Sequence, residues 1–142
     1  MPQATYSVTI GRPAEEVFAF LADGEQCPKW RPGVLDIKRV SGQGVGERYA
    51  QGVRGPMGRR IQADYEVTVF EPSRRIEFQT VAGPARPHGR YDLEPIGGGT
   101  KVTFSLDAQL GGLRGLLMGS AVQRTMDSEV RMLDKLKRVL EG

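Results

Sequence analysis

The last thirty residues constrain this chain most. From Leu113 the apolar side chains recur at Leu117, Ala121 and Val122, Met126, Val130, Leu133, Leu136 and Leu140, the three-and-four spacing of a stripe down one side of an α-helix. Nine of the nineteen positions between them are charged. About 26 helical residues would reach roughly 39 Å, which in a chain of 142 residues spans the width of the whole domain. Such a helix needs a broad apolar surface to lie on, and the preceding residues must supply it. Its first half sets Met118 and Met126 beside the small Gly119, Ser120 and Ala121, a loosely filled stretch where a cavity is expected.

The supply is β-structure. Residues 3–10 place Tyr6, Val8 and Ile10 on one side and Thr5, Ser7 and Thr9 on the other, a strand with one wet face. Pro13 suits the first turn of a helix, Glu15 and Glu16 favour its positive end, and Val17, Phe18, Phe20 and Leu21 give it an apolar side. It should stop near Asp23-Gly24, with a second short helical or turn segment over 25–29. Trp30, the only tryptophan, follows in CPKWRPG, stiffened by Pro28 and Pro32, and is either a core plug or a ligand platform. Residues 34–40, 46–53, 60–70, 75–81, 89–93 and 101–109 then alternate or are rich in β-branched residues. The breaks SGQG, RGPMG, EPSR, AGPARP and PIGGG are too short for parallel crossovers, so the strands form an antiparallel meander without βαβ units.

Composition closes off other classes. With 39% hydrophobic and 26% charged residues, and no apolar run approaching the ~18 residues of a membrane span, the chain reads as one globular domain over 1–142 without integral membrane contact. MPQATYSVTI lacks the basic-then-apolar order of a secretory signal, so a cytoplasmic location is expected. A single cysteine, Cys27, allows neither an internal disulfide nor a redox pair and is expected as a small half-buried filler. Twenty Lys and Arg against seventeen Asp and Glu leave +3. Yet Arg59, Arg60, Arg74, Arg75, Arg86 and Arg90 are spread among acids without interleaved aromatics, so no nucleic-acid partner is expected. The strings GQGVG and GGG are followed by strands, not helices, and read as hairpin turns rather than phosphate loops. One histidine and no metal-binding cluster imply no metal, and no cofactor is expected.

The fold class is therefore α+β. A curved antiparallel sheet of about seven strands wraps around one long C-terminal helix, with two short helices after the first strand, the helix-grip arrangement. The strings IGRPAEEVF, WRPGV, GVGERY, FEPSRRI, GGTKVTF and LDKLK resemble the START-like, or Bet v 1-like (SRPBCC), superfamily, closest to its polyketide cyclase/dehydrase and lipid-transport group. They span nearly the whole chain but are turns, caps and core positions. The resemblance implies a deep, mostly apolar pocket between sheet and helix for a lipid, polyketide or other aromatic metabolite.

Parity selects the residues that would line it. Val102, Phe104, Leu106 and Ala108 share one face, as do Ile61, Ala63, Tyr65 and Val67, and Ile76, Phe78 and Thr80, while Tyr49 with Gln51, and Tyr91 with Leu93, fall inside if no bulge intervenes. The expected ligand-binding set is Trp30, Tyr49, Tyr65, Val67, Phe78, Tyr91 and Phe104 from the sheet side, with Leu117, Ala121, Val122 and Met126 from the helix. Three readings follow: a carrier of a small or medium hydrophobic molecule, a cyclase, aromatase or dehydratase using polar pocket residues, or a protein-interaction module docking through the sheet or GGLRGLLMG. The enzyme reading has as catalytic candidates His88, the only side chain with an ordinary pKa near neutrality, and Tyr65, Tyr49 and Arg90. The assembly is expected to be a monomer or homodimer, with 111–115 a possible gate over the pocket mouth.

Overall fold

The first strand pairs with the last. In the computed structural model, which describes residues 3–83, 86–108 and 112–142 (backbone alone for 56 and 112–119), β1 (Gln3–Ile10) runs antiparallel to β8 (Gly99–Asp107) from Gln3 opposite Asp107 to Ile10 opposite Thr100. Between them the chain crosses to the far edge of the sheet through α1 (Ala14–Ala22) and a 3-10 turn (Gly24–Lys29). It returns as β2 (Val34–Ser41), β3 (Arg48–Arg54), β4 (Arg60–Gln62), β5 (Tyr65–Glu71), β6 (Arg75–Thr80) and β7 (His88–Ile96). The spatial order is β1-β8-β7-β6-β5-β3-β2, all antiparallel, with β4 on the free side of β3. The helices α2 (Gly112–Val130) and α3 (Leu133–Glu141) lie on the β1 end of this curved sheet, the expected helix-grip arrangement.

Local chemistry sets the turns. Ile96 pairs with Gly99, leaving Gly97 and Gly98 as a two-residue loop with φ of 39° and 84°. Two successive positive φ values make a type I′ turn, which matches the twist of the strands it joins and strongly favours glycine.

Two expected elements are divided. The strand read over 60–70 breaks at 63–64, giving eight strands, because the Asp64 carboxylate takes the Gln51 N–H (3.0 Å) that a continuous ladder would pair with a carbonyl. The single terminal helix breaks at 131–132, although no glycine or proline is there. Here Met132 N–H donates to the Glu129 carbonyl (3.1 Å) and Asp134 N–H to that of Arg131 (3.1 Å), i to i+3 bonds that tighten the winding. Tyr6 of β1 holds the break: its hydroxyl donates to the Asp134 carboxylate (2.9 Å) and Arg131 covers its ring at 5.2 Å.

The core lies under these helices. Ile10, Val17, Val102, Phe104, Leu133 and Leu136 have no exposed surface, and fully burying each such side chain contributes about 1.5–3 kcal/mol before its ordering entropy is charged. Polar ties fasten the end of α3 to β1: Lys137 Nζ donates to the Thr9 carbonyl (2.6 Å) and Gly11 N–H to Glu141 Oε2 (2.7 Å).

Candidate functional site

Alternation on five strands brings five aromatic rings into one row on the inner face of the sheet. Tyr49 and Tyr65 are direct cross-strand partners, stacked with centroids 4.9 Å apart. Tyr65 leads to Phe78 (5.2 Å), Phe78 to Tyr91 (6.2 Å), and Tyr91 stacks on its partner Phe104 at 4.3 Å. Trp30 meets Tyr91 and Phe104 edge-on at 6.2 and 6.5 Å, so the indole closes one side of the row. Offset and edge-to-face contacts at these separations add to simple burial. Phe78 lies over the backbone of its partner Gly89, where a Cβ would come within 2.1 Å of the ring, so this row needs a residue without a side chain in β7.

A polar cluster sits beside the row. Arg31, next to Trp30, points its Nε at Glu129 Oε1 of α2, 2.5 Å away, and the two side chains are 12% and 27% exposed. Its guanidinium also lies 5.9 Å from the Trp30 ring centre, with Nη1 4.0 Å from Cys27 Sγ. Burial opposes the Arg31 charge, but Glu129 together with the neighbouring Cys27 and Tyr91 offsets it, so the guanidinium is held above its ordinary value. Burial raises the Cys27 thiol, partly opposed by Arg31. It raises the Tyr65 phenol well above its usual range and the Tyr91 phenol too, Arg31 again opposing the latter. Both phenols are therefore neutral at physiological pH and act as proton donors in hydrogen bonds, not as bases. A guanidinium and two neutral phenols suit binding and polarising a carbonyl or phenolic oxygen. Among the described residues no group of His, Cys, Asp and Glu suits a metal ion.

The expected site residues separate into four groups. Trp30, Tyr49, Tyr65, Val67, Tyr91 and Phe104 are buried on the inner face, with Phe78 half-buried among them, and Val122 and Met126 are buried on α2. The Tyr49 hydroxyl is already committed: it accepts from Gly24 N–H (3.1 Å) and donates to Glu47 Oε1 (2.8 Å), which fastens the 3-10 turn to β3. His88 and Arg90 are not brought to the row. They alternate with Gly89 and Tyr91 along β7 and so occupy the outer face, where His88 Nε2 is 2.9 Å from Glu77 and Arg90 pairs with Asp92 at 2.8 Å. Ala121 is a correction: it is exposed, because the inward stripe of α2 is the narrower set Val122, Met126, Glu129 and Val130, one helical step of rotation away. Leu117, and the gate read over 111–115, lie outside the described side chains.

Two of the clefts lined by described residues open outward. One of about 230 Å³ is bounded by Arg74, Arg75, Asp92, Glu94 and Lys101 on the outer sheet face. The other, about 570 Å³ and wide open, runs between Pro13, Ala14 and the Ile96–Gly99 turn. The cavity expected under the first half of α2 falls on side chains outside the described residues.

The ion pair was the feature that sequence reasoning missed. Glu129 stands three residues after Met126 and four before Leu133, a charge inside the apolar stripe, and that position is the signal that would have singled it out.

A family model described as polyketide cyclase / dehydrase and lipid transport matches residues 1–141. Among solved structures the chain is similar to TTHA0849 from Thermus thermophilus, at 23% identity over 96% of this chain and 95% of that one, with a TM-score of 0.81. It is similar to a START superfamily protein from Mycobacterium smegmatis, at 16% identity over 93% and 97% of the two chains, with a TM-score of 0.66. It also overlays the di-domain ARO/CYC BexL of the BE-7585A biosynthetic pathway, at 19% identity over all of this chain and 48% of that one, with a TM-score of 0.77. No curated protein matches the chain.

Proposed function

The chain belongs to the polyketide cyclase/dehydrase and lipid-transport family, and from that premise we propose that it binds a small or medium hydrophobic, ring-containing molecule between the inner sheet face and the first half of α2. The observation that carries this reading is the row Tyr49-Tyr65-Phe78-Tyr91-Phe104, an uninterrupted aromatic wall across five strands. A flat apolar ligand laid against such a wall gains about 25 cal/mol for each Å² removed from water, enough for micromolar binding with few polar contacts. Arg31, Tyr65 and Tyr91 would orient an oxygen on it. Because Glu129 already neutralises Arg31, a second buried anion would be uncompensated, and a neutral oxygenated ligand is favoured over a fatty-acid carboxylate. Titration calorimetry with a panel of naphthols, anthraquinones and fatty acids tests the reading. Saturable binding of the neutral aromatics supports it; no binding and no thermal shift across the panel refutes it.

A cyclase or dehydratase activity is the second reading, favoured by the two neutral phenols next to a guanidinium. On this reading Arg31 and the Tyr65 or Tyr91 hydroxyl stabilise the ketone oxygen that gains negative charge when the enol form of the chain attacks its carbonyl carbon, and the enol proton ends on that oxygen. Turnover of a poly-β-ketone thioester that survives intact in both Tyr65→Phe and Tyr91→Phe would rule it out.

A further inference from the structure

Gln51 carries a buried polar atom that the packing leaves without a partner. It lies in β3 two residues beyond Tyr49, on the same inner face, and is 4% exposed. Its main chain is fully engaged: the N–H donates to Asp64 Oδ1 at 3.0 Å and the carbonyl accepts from Ala63 N–H at 2.8 Å. Its side-chain Nε2 donates to the Ala63 carbonyl at 3.0 Å. A carbonyl can only accept, so that bond fixes which end of the amide is nitrogen and turns the oxygen the other way. That oxygen, Oε1, meets no donor among the described residues.

An amide oxygen taken out of water without a donor costs free energy that a methionine of similar volume at the same place would not. The row beside it is otherwise apolar or donates: Tyr65 and Tyr91 are neutral phenols, and the Tyr49 hydroxyl is spent on Gly24 and Glu47. The inner face therefore offers donors at Arg31, Tyr65 and Tyr91 and an unused acceptor on β3.

We infer that Gln51 is a specificity-determining residue, whose side-chain oxygen accepts a hydrogen bond from a hydroxyl or N–H of the bound molecule. The ligand class is thereby narrowed to ring compounds carrying a neutral donor, phenols above all. A plain hydrocarbon leaves the oxygen unpaired, and a ligand carbonyl or carboxylate placed there repels it. The inference rests on the ligand reading above.

The test uses 2-naphthol and 2-methylnaphthalene, nearly equal in volume and different in the hydroxyl, titrated by calorimetry into the full chain and into Gln51→Met. The wild type binds 2-naphthol about tenfold more tightly, the worth of one neutral hydrogen bond to a buried acceptor. Gln51→Met binds the two equally and holds 2-methylnaphthalene at least as well as the wild type does. Equal affinities in the wild type, the result if the oxygen only holds a water, overturn the assignment; so does a preference that survives in Gln51→Met, which would place the hydroxyl at Arg31 or a phenol instead. If neither probe binds the wild type, the ligand reading itself fails. Should Gln51→Met not fold, as its melting curve shows, Gln51→Asn withdraws the oxygen from reach and must lose the same preference.

Discussion

Arg31 Nε and Glu129 Oε1 meet at 2.5 Å across 98 residues of sequence, joining the segment after the 3-10 turn to the inward side of α2. The contact ties α2 to the segment that carries Trp30, whose indole closes one side of the aromatic row.

Removing one partner leaves the other charge half desolvated. Glu129→Gln or Arg31→Met should cost about 2–3 kcal/mol, below the ~3–5 kcal/mol of breaking a fully buried pair because Glu129 keeps some solvent contact. Replacing both with methionine should recover most of the loss. Urea denaturation of the two single variants and the double variant gives the coupling; single-variant losses under half a kcal/mol would show the pair to be a solvated surface contact.

Gly89 makes room for Phe78. Gly89→Ala places a methyl group 2.1 Å from the ring, an overpacking that should cost about 1–3 kcal/mol, and Phe78→Leu should relieve it in the double variant. Additive losses in thermal melts would mean the two residues do not share the space.

The tyrosines give a pH signature. All four stand above the ordinary phenol value, Tyr65 and Tyr91 chiefly through burial, Tyr49 chiefly through burial and Tyr6 chiefly through its bond to Asp134. A raised folded-state pKa means the unfolded chain loses its protons first. Stability is then unaffected below about pH 10, the unfolded value, and falls as pH rises beyond it. Absorbance at 295 nm should show Tyr65 and Tyr91 staying protonated in the native state near pH 10, their phenolate appearing cooperatively only with alkaline unfolding. A gradual non-cooperative titration centred at 10 would contradict the buried phenols.

Cys27 should be inert for the same reason. It is 7% exposed and its thiol is raised by burial, so native protein at pH 8 should react with a disulfide reagent far more slowly than urea-unfolded protein does. Equal rates would place the thiol at the surface.

Much of this was legible in the chain because a strand's parity is local information. The alternation Val102, Phe104, Leu106, Ala108 put Phe104 inside, and the same count carried Tyr65, Phe78 and Tyr91 to one face. Applied strictly along β7, it also puts His88 and Arg90 outside with Glu77 and Asp92. What could not be read is what depends on partners far along the chain. The helix break at 131–132 comes from Tyr6 gripping Asp134, and the Arg31–Glu129 pair from a charge set within an apolar stripe. The exposure of Ala121 follows from a helix rotation that small residues do not fix.

Backbone amide NMR shifts on addition of 2-naphthol test the central claim, an aromatic wall that receives a ligand, most directly. The account predicts saturable shifts at Gln51, Tyr65, Phe78, Tyr91 and Phe104, with Glu77, His88, Arg90 and Asp92 on the opposite face unmoved. Shifts confined to the outer clefts, at Arg74 and Lys101 or at the Ile96–Gly99 turn, or no saturable shift anywhere, would contradict it.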